Sequence, residues 1–332
     1  MEHLRQRSIT RRRVIAILAG AASALVTSRS RAEAPRLFEW RGTALGAEAT
    51  IRLYAQSEDQ ATEALDAAAA EIERLENEFS LYRPTSALSR LNRDHRLLGP
   101  SLDMRLLLAE AVRFGKLSQG AFDVTVQPLW ELYATHFSRH PEDRSGPPAE
   151  LVARAVRLVD YRRIQIEADR IMLPSGMAVT LNGIAQGYIT DRVADLLRAS
   201  GWDDVLVDLG ELRGLGAHPN DRPWTAALPS FLDAPHGAAI VPLSDRALAT
   251  SSGAATRFEA TGRYHHLFSP ASGRSVDTYA AVSVAAQRAT LADALSTALF
   301  VAPHSAAAAM LSKLPGVEAW LWFADGLVEH LG

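Results

Sequence analysis

The stretch YAAVSVAA, residues 279–286, reads as a strand, and ATLADALSTALFVA, residues 289–302, reads as a helix directly behind it. Upstream lie further strand-like runs: VLVDLG (205–210), TAALP (225–229), AAIVPL (238–243) and ALATSS (247–252). Strand after strand before a helix is not the regular alternation of a doubly wound parallel sheet, so the expected fold class is α+β. Nearer the N-terminus, LFEWRGTALGAEATIRLYA (37–55) alternates apolar and polar residues around a Gly-containing break, which predicts two strands meeting at a turn. From Asp59 to Phe79 the apolar positions Leu65, Ala68, Ile72, Leu75 and Phe79 recur at helical spacing. A second helix is expected from Leu102 to Leu117, strand-like runs at RIQIEA (163–168) and MAVTLN (177–182), and a third helix in GIAQGYITDRVADLLRASG, closed by Gly201. The segment HFSRHPEDRSGPP (136–148) reads as an exposed excursion. Its His136 and His140 have metal-like spacing, but no helix is expected there to present them.

With 332 residues, 48% of them hydrophobic, the chain can bury a substantial core. A formal charge of -3 and no block of like charges give no footprint for nucleic acid or an anionic membrane. The absence of cysteine removes disulfides, thiolate metal sites and a cysteine nucleophile, leaving oxygen and imidazole chemistry. At the N-terminus, Arg11, Arg12 and Arg13 precede the uncharged run VIAILAGAASALV (14–26). That run is shorter than the roughly 20 residues a bilayer span needs, so residues 1–34 are expected to be a cleaved signal of the twin-arginine type. Cleavage after Ala32 or Ala34 would leave one domain, 35–332, with no stable membrane insertion, in the periplasm.

Asp293 and Thr297 stand four apart, so a helix puts both on one face, where together they could hold one cation. One carboxylate and one hydroxyl are too few for a calcium cage but suit magnesium, which keeps waters and takes ligands from substrate phosphates. A solvated helix edge is the alternative; against it, the surrounding Ala/Leu/Phe helix would bury an unpaired carboxylate at high cost. In LNGIAQGY (181–188), two glycines ahead of a helix let backbone groups approach a phosphate, or simply serve the turn. His266, before a Pro/Gly turn, could move a proton at neutral pH.

Taken in order, these segments resemble the motifs of the ApbE family of FAD:protein FMN transferases. RGTALG is similar to the family's Met-Gly-Thr motif, FSLYRPTSALSRLN to its Phe-Ser-x-Tyr stretch, and GAFDVTVQPL to its Gly-x-Phe-Asp-x-Thr loop. NGIAQGYITD, ATSSG, HLFSPASG and ADALSTALFV match four motifs of the second half. The resemblance implies an ApbE-type α+β fold, T-fold-related, with a mixed sheet and packed helices. It implies magnesium held by Asp293, Thr297 and the Gly183 carbonyl, and FAD as the substrate. Tyr82, Ala121, Phe122, Asp123, Gln186 and Leu267 match FAD-lining positions, with Gly42 and Thr43 at the edge of that site. Thr180 stands at an FAD-side position where the family commonly carries an acid. His266 matches the histidine implicated in catalysis, together with Asp293.

Four positions depart from the family pattern: Arg41 for methionine, Thr180 for the acid, Ser269 for an aspartate, and Gly210-Glu211 for a Gly-Gly-Asp turn. VDLGELRGLG, HHLFSPASG and the arginine-rich signal resemble the NosX branch. That resemblance implies attachment of FMN to a Thr or Ser of NosR, or a NosR-like membrane protein with a periplasmic domain, in nitrous oxide respiration. Hydrolysis of FAD to FMN and AMP at the same site, and non-catalytic flavin binding or delivery, are the competing expectations.

Overall fold

The computed structural model describes residues 16–17, 34–218, 222–228 and 240–332, so the expected signal segment lies almost wholly outside the described residues. A nine-stranded sheet forms the middle of the molecule. Across it the strands run Ala16–Ile17, Arg36–Ala44, Ala47–Ala55, Val205–Asp208, Leu212–Leu215, Ala247–Ser252, Tyr279–Ala286, Glu318–Phe323 and Val328–Leu331, each antiparallel to its neighbour. The class is α+β, as the strand order predicts. The Gly-containing break at 45–46 is a two-residue hairpin turn in which Leu45 (φ 48°) and Gly46 (φ 88°) are both left-handed, the twist that suits a tight hairpin.

Period-two alternation splits the sheet's side chains between two apolar layers. Ile51, Leu53, Val205, Val207, Val282, Val284 and Leu321 face the helices. Leu206, Leu248, Ala281, Ala285 and Trp322 face the other side. There the expected strands at TAALP and AAIVPL do not join the sheet. They form a separate antiparallel ribbon, Thr225–Ala227 with Ile240–Pro242, that lays Ala226, Leu228, Val241 and Leu243 over the sheet's second face. Short apolar runs fit either placement; burying that second face decides between them.

Helix Glu58–Phe79 starts at Ser57 and buries Leu65, Ile72, Leu75 and Phe79 on one stripe, each worth about 1.5–3 kcal/mol of transfer free energy. Helix Ala289–Val301 is different: Ala292, Asp293, Leu295, Ser296, Leu299 and Phe300 are buried all round, because the sheet lies on one side and helices Ala185–Ala199 and Leu102–Leu117 on the other. Two further expectations need correction. MAVTLN is not a strand: Asn92 brackets Val179 with both amide atoms (2.7 and 2.8 Å), and Thr180 N–H donates to the Val124 carbonyl, so its backbone groups are satisfied without a ladder. His136 does lie on a helix, Gln127–Arg139, begun by Pro128 in its first turn. Its Nε2 sits 2.7 Å from Asp143 Oδ2. Among the described residues no three His, Asp or Glu side chains are grouped to hold a metal.

Candidate functional site

Helix Gln127–Arg139 packs Leu129, Tyr133 and Phe137 on Phe268 and the short helix Ala149–Val156, building a small lobe beside the main core. Where that lobe meets the sheet, a cavity opens. Its apolar wall is Phe122, Val126, Trp130, Leu267, Phe268 and Val301; its polar wall is Asp123, Thr180, Asn182, Gln186, Glu211, Thr250, Ser251, Ser252, His266, Asp293 and Thr297, with Ala121 and Gly183. Ten of the sequence-derived site residues therefore converge on one cavity, although they span residues 121 to 297.

At its floor, Asp293 is 3% exposed and its Oδ2 accepts the Gly187 N–H at 2.9 Å. Burial pushes its carboxyl up to about 7, partly offset by that N–H, with the charge of Asp191 adding to the rise. One turn on, Thr297 Oγ1 lies 3.0 Å from Ser251 Oγ, which also reaches Ser296 at 2.8 Å. Gly183 comes so close to that hydroxyl that a Cβ there would sit 3.0 Å from Thr297 Oγ1. Asp293, Thr297 and the Gly183 turn thus occupy one corner. Glu211 is buried in the same cavity and its carboxyl is raised well above the ordinary range, by burial first and then by the Asp293 charge. Two carboxylates buried in one cavity are relieved by a proton or by a cation, so the groups at this corner could hold a divalent cation.

His266 lines the cavity with its Nδ1 3.2 Å from the Thr256 carbonyl oxygen. A carbonyl only accepts, so Nδ1 carries the proton and Nε2 keeps its lone pair. Burial lowers the imidazole to about 4, so the ring is neutral at neutral pH and able to take a proton. The adjacent His265 is structural: buried, with Nε2 3.0 Å from the Val276 carbonyl oxygen and its ring edge-on to Phe300.

The profile of the ApbE family matches residues 45–321. The chain belongs to the ApbE family. A FAD:protein FMN transferase of Treponema pallidum is 31% identical over 280 residues, covering 78% of this chain and 76% of that protein. One from Vibrio cholerae is 32% identical over 238 residues, 69% of this chain and 70% of that one. Among solved structures, the apo form of the Pseudomonas stutzeri flavinyl transferase ApbE superposes with a TM-score of 0.77 at 28% identity, covering 90% of this chain and 95% of that chain.

Within this ApbE-family cavity the residues divide by what their atoms are free to do. Asp123 lines the wall, yet its oxygens are engaged: Oδ1 accepts from Thr125 N–H (2.8 Å) and Thr125 Oγ1 (2.6 Å), and Oδ2 from Tyr161 N–H (3.0 Å). It shapes the loop that carries Phe122. Gln186 lies against Gly210, whose φ of +98° favours glycine and whose missing side chain leaves room for the Gln186 amide. Tyr82 is 68% exposed and lines a neighbouring depression that shares Trp130 and Asn182 with the cavity. Gly42 and Thr43 lie outside the lining residues, on strand Arg36–Ala44, with the Trp40 ring folded over Gly42. Glu211 is the residue whose place sequence reading missed. It stood out there only as part of a variant turn, and the one signal was an acid directly behind the strand-like VLVDLG.

Proposed function

We propose that this protein is an FAD:protein FMN transferase, with Asp293, Thr297 and the Gly183 carbonyl as magnesium ligands. The observation that carries the reading is the convergence of those three groups with neutral His266 and an apolar wall on one cavity. Its membership of the ApbE family, with relatives that bear that name, supports it. Bound there, magnesium would neutralise charge on the FAD pyrophosphate and favour its cleavage.

The apolar wall of Phe122, Trp130, Leu267 and Phe268 gives FAD's ring systems a dry surface. The N-terminus of helix Ala185–Ala199, next to the Gly183 turn, would offer the phosphates the positive end of the helix dipole. A Thr or Ser hydroxyl of the acceptor attacks the FMN phosphorus; the new P–O bond forms as the pyrophosphate bond breaks and AMP leaves. The hydroxyl proton passes to His266 Nε2. Orientation and charge, rather than covalent chemistry by the protein, supply the rate.

The arginine-rich leader and its short apolar run support export to the periplasm, and VDLGELRGLG with HHLFSPASG supports a NosR-like membrane acceptor. The test is to incubate the mature protein with FAD, Mg2+ and a periplasmic flavin-acceptor domain, then read in-gel flavin fluorescence and the mass gain on the acceptor. Covalent FMN that vanishes with EDTA, or in Asp293→Ala, supports the transferase. Free FMN and AMP without labelling would mean water is the nucleophile, and intact bound FAD would mean a flavin carrier.

A further inference from the structure

Helix Ala289–Val301, which carries Asp293 and Thr297, has no cap of its own. Its N-cap residue is Arg288, which makes no side-chain capping bond and places a cation at the positive end of the helix. The missing acceptor comes from another helix. Asp191, on Ala185–Ala199, is 0% exposed and does not line the cavity. Its Oδ1 accepts Ala289 N–H (2.9 Å) and Arg213 Nη1 (2.8 Å). Its Oδ2 accepts Thr290 N–H (3.0 Å), Thr290 Oγ1 (2.6 Å) and Arg288 Nε (3.2 Å). Both arginines also reach Asp195, at 2.9 and 3.2 Å, so the buried charge is balanced.

The register of the two helices gives this cap a role beyond stability. Gly187, four residues before Asp191, donates its N–H to Asp293, four residues after Ala289. The helices are therefore clasped at two points one turn apart, Asp191 on Ala289 and Thr290, and Gly187 on Asp293. We propose that Asp191 is a positioning residue for the cation corner: capping the partner helix in trans, it sets the depth at which Asp293 and Thr297 enter the cavity. The proposal rests on the transferase reading above. Loss of the cap frees the orphan N–H groups of the first turn, and Asp293 hangs directly below that turn.

The test is divalent-cation affinity of the purified protein, measured by Mn2+ titration followed by electron paramagnetic resonance, alongside the Mg2+ dependence of FMN transfer. In Asp191→Asn one oxygen becomes an NH2 group facing donors. Both the Mn2+ dissociation constant and the Mg2+ concentration for half-maximal transfer should rise roughly tenfold, the usual effect of losing a group that orients a metal ligand. Turnover should return towards wild type at saturating Mg2+. Thr290→Val keeps the shape, removes one bond and should shift the same two quantities in the same direction, so a failure of Asp191→Asn to fold leaves the question answerable. Folded variants whose Mn2+ affinity stays within about twofold of wild type, well short of that usual effect, would confine Asp191 to stability and overturn the proposal. A wild-type protein that neither binds Mn2+ nor transfers FMN would instead overturn the underlying reading, and the clasp's role with it.

Discussion

Replacing Gly187 by alanine places a Cβ 2.4 Å from the Ala289 carbonyl oxygen, 2.6 Å from its carbon and 2.8 Å from Asp293 Cβ. None of these atoms is the end of a flexible side chain. Carbon contacts settle at about 3.5–4.0 Å, so helices Ala185–Ala199 and Ala289–Val301 must part by roughly 1 Å. The 2.9 Å bond from Gly187 N–H to Asp293 Oδ2 cannot survive that movement. Overpacking costs about 1–3 kcal/mol, against the roughly 1 kcal/mol by which alanine favours a helix over glycine. Adding about 1–3 kcal/mol for a buried carboxylate that loses its donor gives a net loss of about 1–5 kcal/mol. For a chain of this size that is a fall in Tm of about 2–8 °C. Moving a reacting group by about 1 Å costs on the order of 100-fold in rate, so FMN transfer at saturating FAD and Mg2+ should drop by that factor. Differential scanning fluorimetry and the acceptor-labelling rate read the two effects. A Gly187→Ala protein with wild-type Tm and wild-type transfer would refute the argument that this helix contact sets the site.

His266→Asn should slow transfer by about 100- to 10,000-fold with FAD affinity preserved, checked by single-turnover labelling and a binding titration. Burial holds His266 at about 4, below its ordinary 6.5, so wild-type rate should persist on acidification until near that value. An acid limb centred at 6.5 in the pH–rate profile would contradict the half-buried, neutral imidazole. The same shift has a stability sign: the folded state binds fewer protons than the unfolded one, so stability is lost as pH falls from 6.5 towards 4, a loss that His266→Asn should lack in thermal melts. Glu211, raised by burial, works in the opposite direction. Its penalty is absent below the ordinary 4.5 and grows as pH rises, so without metal Glu211→Gln should gain Tm relative to wild type at alkaline pH and little at acidic pH. Tyr82→Ala, at a position 68% exposed, should change stability by less than about 0.5 kcal/mol while raising the KM for FAD, which separates a ligand-facing ring from a structural one.

Periodicity and spacing were sufficient for the elements that stand on local physics. The 37–55 hairpin follows from alternation around Gly46, helix Glu58–Phe79 from its apolar stripe, and the Asp293–Thr297 pair from a four-residue step that any helix places on one face. The sequence order of the motifs likewise carried the family. Short segments were less legible, because their backbone bonds are settled by partners far along the chain. MAVTLN is held by the Asn92 side chain, the 225–227 and 240–242 strands turn away to cover a second sheet face, and His136 is reached by a helix that runs on past the composition change. Tertiary structure alone brought Glu211 into Asp293's cavity, tied Asp123 to the distant Tyr161 backbone, and supplied from Asp191 the cap that helix Ala289–Val301 lacks. Each of these depends on which buried polar group finds which partner. Desolvation makes that pairing obligatory, while one-dimensional spacing does not encode it.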